Sequence, residues 1–295
     1  MTAEVWSRPI LLRASDLTVA FGGVQAVAGL TFTAHEGEVL SVIGPNGAGK
    51  TSAFNCITGF YKPTAGHVEF RGVDITGQRP ARIAAAGIAR TFQNLRLFGD
   101  LTVLDNVRAG MHVRLRQNAF DAVLHTPRYR RSEQQATDEA NRWLDFVGVR
   151  SDRTAQVRNL PYGEQRLVEI ARALAREPKM LLLDEPAAGL NHGEKEALLE
   201  LLRRISELGT AVVLIEHDMG LVMQVSERIV VLSYGKEIAD GTPAEIRANP
   251  AVIEAYLGTS DEEAQDEAER IAAEFVEGVE LPLPDLTDDA QEQAQ

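Results

Sequence analysis

Apolar residues along the chain occur in short runs separated by glycine-containing turns, a pattern typical of strands that alternate with helices. Three runs predict strands that are buried on both faces of a sheet: Met180–Leu183, Ala211–Ile215 and Ile229–Ser233. Five further strands are predicted at Ile10–Ala20, Leu30–Ala34, Val39–Ile43, His67–Arg71 and Ile88–Phe92. Because strands alternating with helices form βαβ units, the predicted fold class is α/β with a mainly parallel core sheet.

Helical periodicity dominates the segments between these strands. Helices are predicted over Ser52–Thr58, Gly163–Arg176 and Asn191–Leu208. The longest stretch without a predicted strand runs from Thr102 to Gly148 and is helical in pattern throughout. It predicts a helical insertion into the sheet.

The charge of the chain is concentrated at one end. The 295 residues include 30 Lys and Arg against 43 Asp and Glu, a formal net charge of −13. Residues 259–295 alone hold thirteen acidic residues and one basic residue, so residues 1–258 are nearly neutral. This balance gives no support to a protein that binds nucleic acid through a broadly basic surface, and no nucleic-acid partner is expected.

The acidic segment 259–295 is predicted to be a tail that follows the folded body. Between Asp261 and Val279, apolar residues alternate with charged ones at helical spacing, which predicts an amphipathic helix. The final stretch, Leu281–Gln295, is predicted to be disordered. A solubilising tail is the preferred interpretation, and a helix that docks on the body or on a partner is the alternative.

Cysteine content and hydropathy indicate a cellular location. The single cysteine, Cys56, excludes an intramolecular disulfide, so a reducing compartment, most simply the cytosol, is expected. The N-terminal residues lack the features of a signal peptide, and no uncharged run approaches the roughly 18–20 residues that a membrane helix requires. Any role at a membrane is therefore expected to depend on partner proteins.

A glycine-rich loop follows the predicted strand Val39–Ile43 and matches the phosphate-binding pattern in full. Its residues are Gly44, Pro45, Asn46, Gly47, Ala48, Gly49, Lys50 and Thr51, with Ser52 beginning the next helix. Small residues let consecutive backbone N–H groups face one anion, and the helix N-terminus adds the positive end of its dipole. Lys50 is predicted to reach the β- and γ-phosphates of a nucleotide, and Thr51 to offer its hydroxyl to Mg²⁺.

Two adjacent carboxylates follow the predicted buried strand Met180–Leu183. Asp184, at the end of a strand next to the phosphate loop, is predicted to hold Mg²⁺. Glu185 is predicted to polarise an attacking water molecule. A helix cap or a surface acid before Pro186 is the alternative interpretation of Glu185, and the pairing with Asp184 argues against it.

Further motifs give the chain a specific resemblance to the ATP-binding cassette (ABC) ATPases. The signature sequence of that family maps onto Leu160, Pro161, Tyr162, Gly163 and Glu164. Gln93, His217 and the segment Gly189–Asn191 fall where the family has its glutamine, its switch histidine and the short loop after its catalytic glutamate. The motifs occur in the family's order between about residues 10 and 258.

The resemblance implies an architecture and a chemistry. The fold is expected to be that of a P-loop NTPase over residues 1–258, with an N-terminal antiparallel β subdomain and a helical subdomain at about residues 94–170. ATP and Mg²⁺ are the expected cofactors, and ATP hydrolysis coupled to transmembrane transport is the expected activity. Two cassettes, identical or homologous, are expected to close head to tail over ATP.

Specific roles also follow from the resemblance. Phe21 is expected to stack on adenine, although a core aromatic at a strand end is the alternative. Gln93 is expected to sense Mg²⁺ and the attacking water, and His217 to contact the γ-phosphate, although a lone histidine after a strand is more often structural. The segment 94–106 is expected to face a membrane subunit.

Within the superfamily, several motifs resemble those of the ATPase subunits of branched-chain amino acid importers. They are Asn55–Thr64, Arg90–Gln93, Ala187–Asn191 and Ile215–Met219. Importers of urea, amides and aromatic acids use similar ATPases and remain alternatives. The expected partners are integral membrane subunits, a second ATPase and, indirectly, a periplasmic or extracellular substrate-binding protein, with the chain peripheral on the cytoplasmic face of the membrane.

One signature position departs from the family pattern. Pro161 stands where the family usually has a serine, and proline has neither a side-chain donor nor a backbone N–H. The Gly163 amide and the following helix N-terminus can still contact phosphate. We therefore expect an ATP-bound dimer that is held less tightly than with serine.

Two other classes of protein share the phosphate loop. Soluble ABC proteins of DNA repair or of the ribosome usually carry two cassettes or a long coiled-coil insertion, and this sequence has neither. A metabolic P-loop kinase would leave the signature residues and His217 without a role.

Overall fold

The computed structural model describes residues 6–111 and 127–257. Its strands are β1 (Ile10–Phe21), β2 (Val24–His35), β3 (Val39–Ile43), β4 (Ala65–Phe70), β5 (Val73–Asp74), β6 (Ile88–Arg90), β7 (Met180–Asp184), β8 (Ala211–Ile215), β9 (Arg228–Ser233) and β10 (Lys236–Gly241). Its α-helices are α1 (Lys50–Ile57), α2 (Pro80–Ala86), α3 (Val103–Met111), α4 (Pro127–Val147), α5 (Tyr162–Leu174), α6 (His192–Glu207), α7 (Met219–Val225), α8 (Pro243–Arg247) and α9 (Pro250–Leu257).

Six strands form the core sheet in the order β10-β9-β3-β8-β7-β6. β9, β3, β8, β7 and β6 are parallel, and only the edge strand β10 pairs antiparallel, with β9. Every residue of β3, β7 and β8 is buried, as their uninterrupted apolar sequences require. The predicted α/β class with a mainly parallel core sheet is confirmed.

The N-terminal strands form a second, antiparallel sheet in the order β2-β1-β4-β5. Its buried face includes Leu12, Leu17, Leu30 and Phe70, which belong to the same apolar cluster as Leu40 of the core sheet. The antiparallel β subdomain that the family resemblance implied is therefore present.

Helices α3, α4 and α5 pack against one another on the other side of the core sheet. Their apolar residues, including Val107, Leu144 and Val168, share one core with the β7 residues Leu181 and Leu183. Within the insertion predicted between Thr102 and Gly148, the segments Val103–Met111 and Pro127–Val147 are helical. The subdomain boundaries at residues 94 and 170, and the end of the domain at 258, stay predictions.

Several predicted bounds differ from the structure. β2 begins at Val24 and not at Leu30. Gly29, with a positive φ of 74°, lies where the pairing of β1 and β2 is irregular, and the strand continues through this glycine. β6 ends at Arg90 and not at Phe92. β10 was not predicted, because five of its six residues are exposed or half-buried and it lacks an apolar run.

The C-terminal tail, with its predicted amphipathic helix near Asp261–Val279 and predicted disorder at Leu281–Gln295, lies outside the described residues. No helix within 6–111 and 127–257 is long and apolar enough to cross a membrane.

Candidate functional site

The parallel strands place four predicted motifs at one edge of the core sheet. The phosphate loop follows β3, Asp184 and Glu185 lie at the end of β7, His217 follows β8 and Gln93 follows β6. Because these strands run in the same direction, their carboxyl ends meet at this edge. Residues that are far apart in sequence therefore converge on one site.

Close backbone packing explains two glycines of the phosphate loop. A Cβ on Gly44 would lie 2.0 Å from the carbonyl oxygen of Leu232, and a Cβ on Gly49 would lie 2.1 Å from that of Ala26. Both glycines also have positive φ angles, 145° and 97°. Only glycine fits at these two positions without displacing the neighbouring backbone.

Lys50 begins α1 and turns its side chain back over the loop. Its Nζ donates hydrogen bonds to the carbonyl oxygens of Gly44 at 2.6 Å and Pro45 at 3.1 Å. The ammonium group is thus held at the concave side of the loop. Asn46, Gly47 and Thr51 are exposed beside it.

Glu185 is brought together with two other predicted catalytic residues. The Gln93 Nε2 donates to its Oε2 at 2.8 Å, and the His217 Nδ1 lies 3.9 Å from the same oxygen. The Glu185 backbone has a positive φ of 48°, which is strained for a residue with a side chain, and its N–H donates to the Ile215 carbonyl. The structure therefore turns the chain sharply at Glu185, directly after the buried strand.

Asp184 has a partner that the sequence analysis did not identify. The Arg90 guanidinium donates to the Asp184 Oδ2 at 2.9 Å, and both side chains are about 95% buried. The same guanidinium donates to Asn55 Oδ1 and Thr58 Oγ1 on and after α1. Burial lowers the pKa of Arg90, and the ion pair with Asp184 opposes that shift. The sequence offered one sign of this partner: the charged Arg90 directly follows the apolar residues Ile88 and Ala89.

Glu216 is a second residue that sequence reasoning missed. Its buried carboxylate accepts from the N–H of Ala187 at 2.8 Å and from that of His217 at 3.2 Å. Burial raises the pKa of Glu216, and these two N–H groups oppose the shift. Glu216 thus joins the loop after Glu185 to the histidine after β8. An acid directly following a fully apolar strand could have indicated it.

Phe21 lies at the end of β1 with 48% of its surface exposed. Its ring meets that of Tyr61 edge to face, with the ring centroids 5.0 Å apart. The alternative of a core aromatic does not fit this exposure, and an aromatic surface available to a flat ligand is left at the strand end.

The signature segment, Leu160–Glu164, begins α5. Pro161 is the N-cap residue of that helix and provides no side-chain cap. Glu164 turns back within its own chain, where its Oε2 accepts from the Ser151 N–H at 3.1 Å. Leu160 and Gly163 are buried, and Tyr162 is 43% exposed.

The neighbours of the signature segment lie around α6 and not at the phosphate loop. A Cβ on Gly163 would lie 2.3 Å from Glu194 Oε1, and a Cβ on Gly189 would lie 3.2 Å from the Tyr162 ring. Among the described contacts, none joins this segment to residues 44–52. The structure therefore brings together the phosphate loop, Asp184, Glu185, Gln93 and His217, while the signature segment has no described contact with the phosphate loop itself.

Comparison with known proteins identifies the family. The family model described as "ABC transporter" matches residues 27–188, which is more than half of the chain. The chain belongs to the ABC transporter family. It is an ATPase cassette that binds ATP and couples its hydrolysis to transport. A second family model, "Branched-chain amino acid ATP-binding cassette transporter", matches residues 236–262.

Curated relatives are similar to the cassette over almost their whole length. The LivG protein of Salmonella typhimurium, a high-affinity branched-chain amino acid transport ATP-binding protein, is 47% identical over 249 residues, which are 84% of this chain and 98% of that protein. The BraF protein of Pseudomonas aeruginosa, which has the same description, is 48% identical over 253 residues, 85% of this chain and 99% of that protein.

Solved structures agree with the fold. The ADP conformation of MJ1267, an ATP-binding cassette of an ABC transporter, matches with a TM-score of 0.74 and 30% identity over 85% of this chain and 100% of that one. The dimeric MJ0796 cassette bound to ADP and Pi matches with a TM-score of 0.67 and 25% identity over 79% of this chain and 99% of that one. Cassettes of this family work with membrane subunits and form dimers.

Proposed function

We propose that the cassette powers the import of branched-chain amino acids. The similarity to LivG and BraF supports this substrate class, because it covers nearly the whole length of both relatives. The match of residues 236–262 to a model specific for branched-chain amino acid cassettes supports it independently of the ATPase motifs. In this proposal the cassette lies on the cytoplasmic face of the membrane, and a substrate-binding protein on the other side selects the amino acid.

The working unit in this proposal is a head-to-tail dimer, formed with a second copy or with a homologous ATPase. The separation of the signature segment from the phosphate loop within one chain supports this arrangement. Each ATP would lie between residues 44–52 of one cassette and residues 160–164 of the other, with its adenine on Phe21. The dimeric state of the similar MJ0796 cassette is consistent with this.

The residues at the sheet edge fit a bound Mg²⁺. Hydroxyl, amide and carboxylate oxygens are the ligands that Mg²⁺ prefers, and Thr51, Gln93 and Asp184 offer one of each. The buried ion pair with Arg90 fixes the Asp184 carboxylate at the end of β7. Bound Mg²⁺ would neutralise charge on the β- and γ-phosphates.

For hydrolysis, Glu185 acts as the group that orients and polarises the attacking water. Gln93 and His217, both near Glu185 Oε2, fix that carboxylate and reach toward the γ-phosphate. The Lys50 ammonium exchanges its bonds with the loop carbonyls for bonds to phosphate oxygens when ATP enters. The positive φ at Glu185 directs its side chain away from the ion pair between Asp184 and Arg90.

A cleft beside Gln93 is the proposed docking site for a membrane subunit. It has a volume of 310 Å³, and its lining includes Phe60, Ala84, Phe92, Ala109, Arg172 and Arg176. Burial lowers the pKa of Arg172 and Arg176, so these cations are poorly hydrated. Arg90 also lines the cleft, and its buried Nε has no hydrogen-bond partner among the described residues. A short cytoplasmic segment with apolar side chains and carbonyl or carboxylate oxygens would match the apolar lining and the guanidinium groups of Arg172 and Arg176.

This docking cleft can be tested by filling it. Ala84→Trp on α2 would place an indole in the cleft, whereas Ala85→Trp, on an exposed neighbour outside it, is the matched control. We expect Ala84→Trp to lose co-purification with membrane subunits from detergent-solubilised membranes, and Ala85→Trp to keep it. Equal recovery of membrane subunits with both variants would contradict the docking site.

The transport function is tested by uptake in cells that lack this chain. Radiolabelled leucine, isoleucine and valine uptake should be restored by the wild type and not by Lys50→Ala, because that change removes the ammonium group from the phosphate loop. Restored uptake of urea, an amide or an aromatic acid instead would favour the alternative importers. In parallel, Glu185→Gln with Mg-ATP should accumulate as a closed dimer, and wild-type hydrolysis by this variant would refute the role of Glu185.

A further inference from the structure

Arg166, near the start of α5, joins the signature segment to the backbone that carries Gln93. Its side chain is only 1% exposed. It donates to the main-chain carbonyl of Phe92 at 2.8 Å and to that of Gln93 at 2.9 Å. It also donates to the hydroxyl of Tyr162 at 2.9 Å. One guanidinium therefore holds both the main chain of a catalytic residue and the side chain of a signature residue.

Glu169 completes this connection one helical turn later. Its Oε2 accepts from Arg166 at 3.1 Å, and its Oε1 accepts from the backbone N–H of Arg96 at 3.1 Å. The carboxylate is almost fully buried. The backbone from Phe92 to Arg96 is thus bound at both ends by two paired side chains of α5.

Tyr162 is the exposed end of the same network. Its ring packs against Gly189, four residues after Glu185, and its hydroxyl is held by Arg166. A little under half of its surface remains exposed. At the other end of the network, the Gln93 side chain donates to Glu185 at 2.8 Å. A continuous path of bonded groups runs from Tyr162 through Arg166 and Gln93 to Glu185.

We propose that Arg166 is a positioning residue that couples the two ATP sites of the dimer. This inference rests on the proposed head-to-tail arrangement, in which Tyr162 faces the ATP bound by the partner cassette. Gln93 and Glu185 of the same chain face that chain's own ATP. When the partner's nucleotide engages the signature segment, Arg166 transmits the position of Tyr162 to the backbone of Gln93 and so aligns Glu185 at the other site.

The test is a double-mutant cycle between Arg166 and Gln93 in the full-length chain. Arg166→Lys keeps the charge and removes the planar fork that reaches three acceptors. We expect it to lower kcat for Mg-ATP hydrolysis about tenfold in the wild-type background and less than about twofold in the Gln93→Ala background. The affinity for a fluorescent ATP analogue should stay within about twofold of wild type, because the nucleotide contacts of the phosphate loop are untouched.

The matched control is Arg153→Lys in the same two backgrounds. Arg153 also bonds to several groups, Asn141 and Asp145, but has no described contact with Gln93. We expect less than about a twofold change in kcat from this substitution. An equal loss from Arg166→Lys in both backgrounds would show a merely structural arginine and would overturn the proposal.

A second variant tests the signature end and covers the case in which Arg166→Lys does not fold. Tyr162→Phe removes one hydroxyl and leaves the ring against Gly189. Its loss of kcat should likewise disappear in the Gln93→Ala background, and a loss that persists there would overturn the proposal. If the wild type does not hydrolyse ATP and Glu185→Gln forms no dimer, the proposed function is overturned as well. If the wild type is active but the kcat losses from the Arg166 and Gln93 variants add independently, only the role of Arg166 is overturned.

Discussion

Two neighbouring carboxylates at the end of β7 have opposite environments. Asp184 is buried in an ion pair with Arg90, while Glu185 is a quarter exposed and contacts the side chains of Gln93 and His217. The left-handed backbone at Glu185 separates the two directions. The Asp184 carboxylate is thereby held in place by its ion pair, whereas the Glu185 carboxylate is accessible to a water molecule.

The Arg90–Asp184 pair leads to a prediction about stability. Arg90→Met leaves the Asp184 carboxylate buried without a counter-ion, so we expect a loss of about 3–5 kcal/mol in the free energy of unfolding, measured by urea denaturation. The double variant Arg90→Met/Asp184→Leu should regain most of that loss, because no buried charge is left unpaired. A double variant as unstable as Arg90→Met alone would show that packing, and not charge, dominates.

At the scale of elements, α3 lies unusually close to α5. A Cβ on Gly110 of α3 would lie 2.3 Å from the main-chain carbonyl oxygen of Arg172 on α5. Gly193, in the first turn of α6, has only an ordinary contact of 3.6 Å, with Asn191 Oδ1. The close approach of α5 therefore requires glycine at position 110, whereas the contacts of Gly193 leave room for a small side chain.

This difference predicts opposite effects of one substitution. Gly110→Ala should lower the free energy of unfolding by about 1–3 kcal/mol, because the clash with α5 outweighs the gain in helix propensity. Gly193→Ala should raise it by up to about 1 kcal/mol, because only the propensity gain operates. Thermal unfolding of the two variants side by side is the measurement. Stabilisation by Gly110→Ala would mean that α3 can move away from α5 at little cost.

Elements with an uninterrupted apolar run could be predicted from the sequence. β3 and β8 occupy the residues that their sequences indicated, and α6 begins after Asn191, where a helix was predicted, with a capping box between Asn191 and Glu194. The convergence of the phosphate loop, Asp184, Glu185, Gln93 and His217 could be predicted because each follows an apolar run that forms a parallel strand, while their catalytic roles stay predictions. Arg90 and Glu216 could not be assigned, since their partners lie on other strands and are adjacent only after the sheet has formed.

At the scale of the whole molecule, the net charge and the residues of the candidate site are separated along the chain. Residues 1–258 are nearly neutral, and almost all of the net charge of −13 belongs to residues 259–295. The phosphate loop, Gln93, Asp184, Glu185 and His217 all lie before residue 218. The acidic segment is therefore expected to affect solubility and not catalysis.

Removing residues 259–295 tests this separation. We expect the truncated chain to keep its melting temperature within about 2 °C and its ATPase rate within about twofold, because the segment is predicted to be a tail that follows the folded body. It should elute from an anion exchanger at lower salt and precipitate at a lower protein concentration. A substantial change in ATPase rate on truncation would instead support a regulatory helix in the tail.

The central position of β3 has a consequence for synthesis on the ribosome. β3 leads directly into the phosphate loop, yet its two neighbours in the sheet are β8 and β9, both from the last third of the chain. The carbonyl of Leu232 in β9 also packs against Gly44 of the loop. We therefore expect a nascent chain to carry its ATP-binding sequence early but to complete the loop, and so to bind nucleotide, only after β9 has left the exit tunnel.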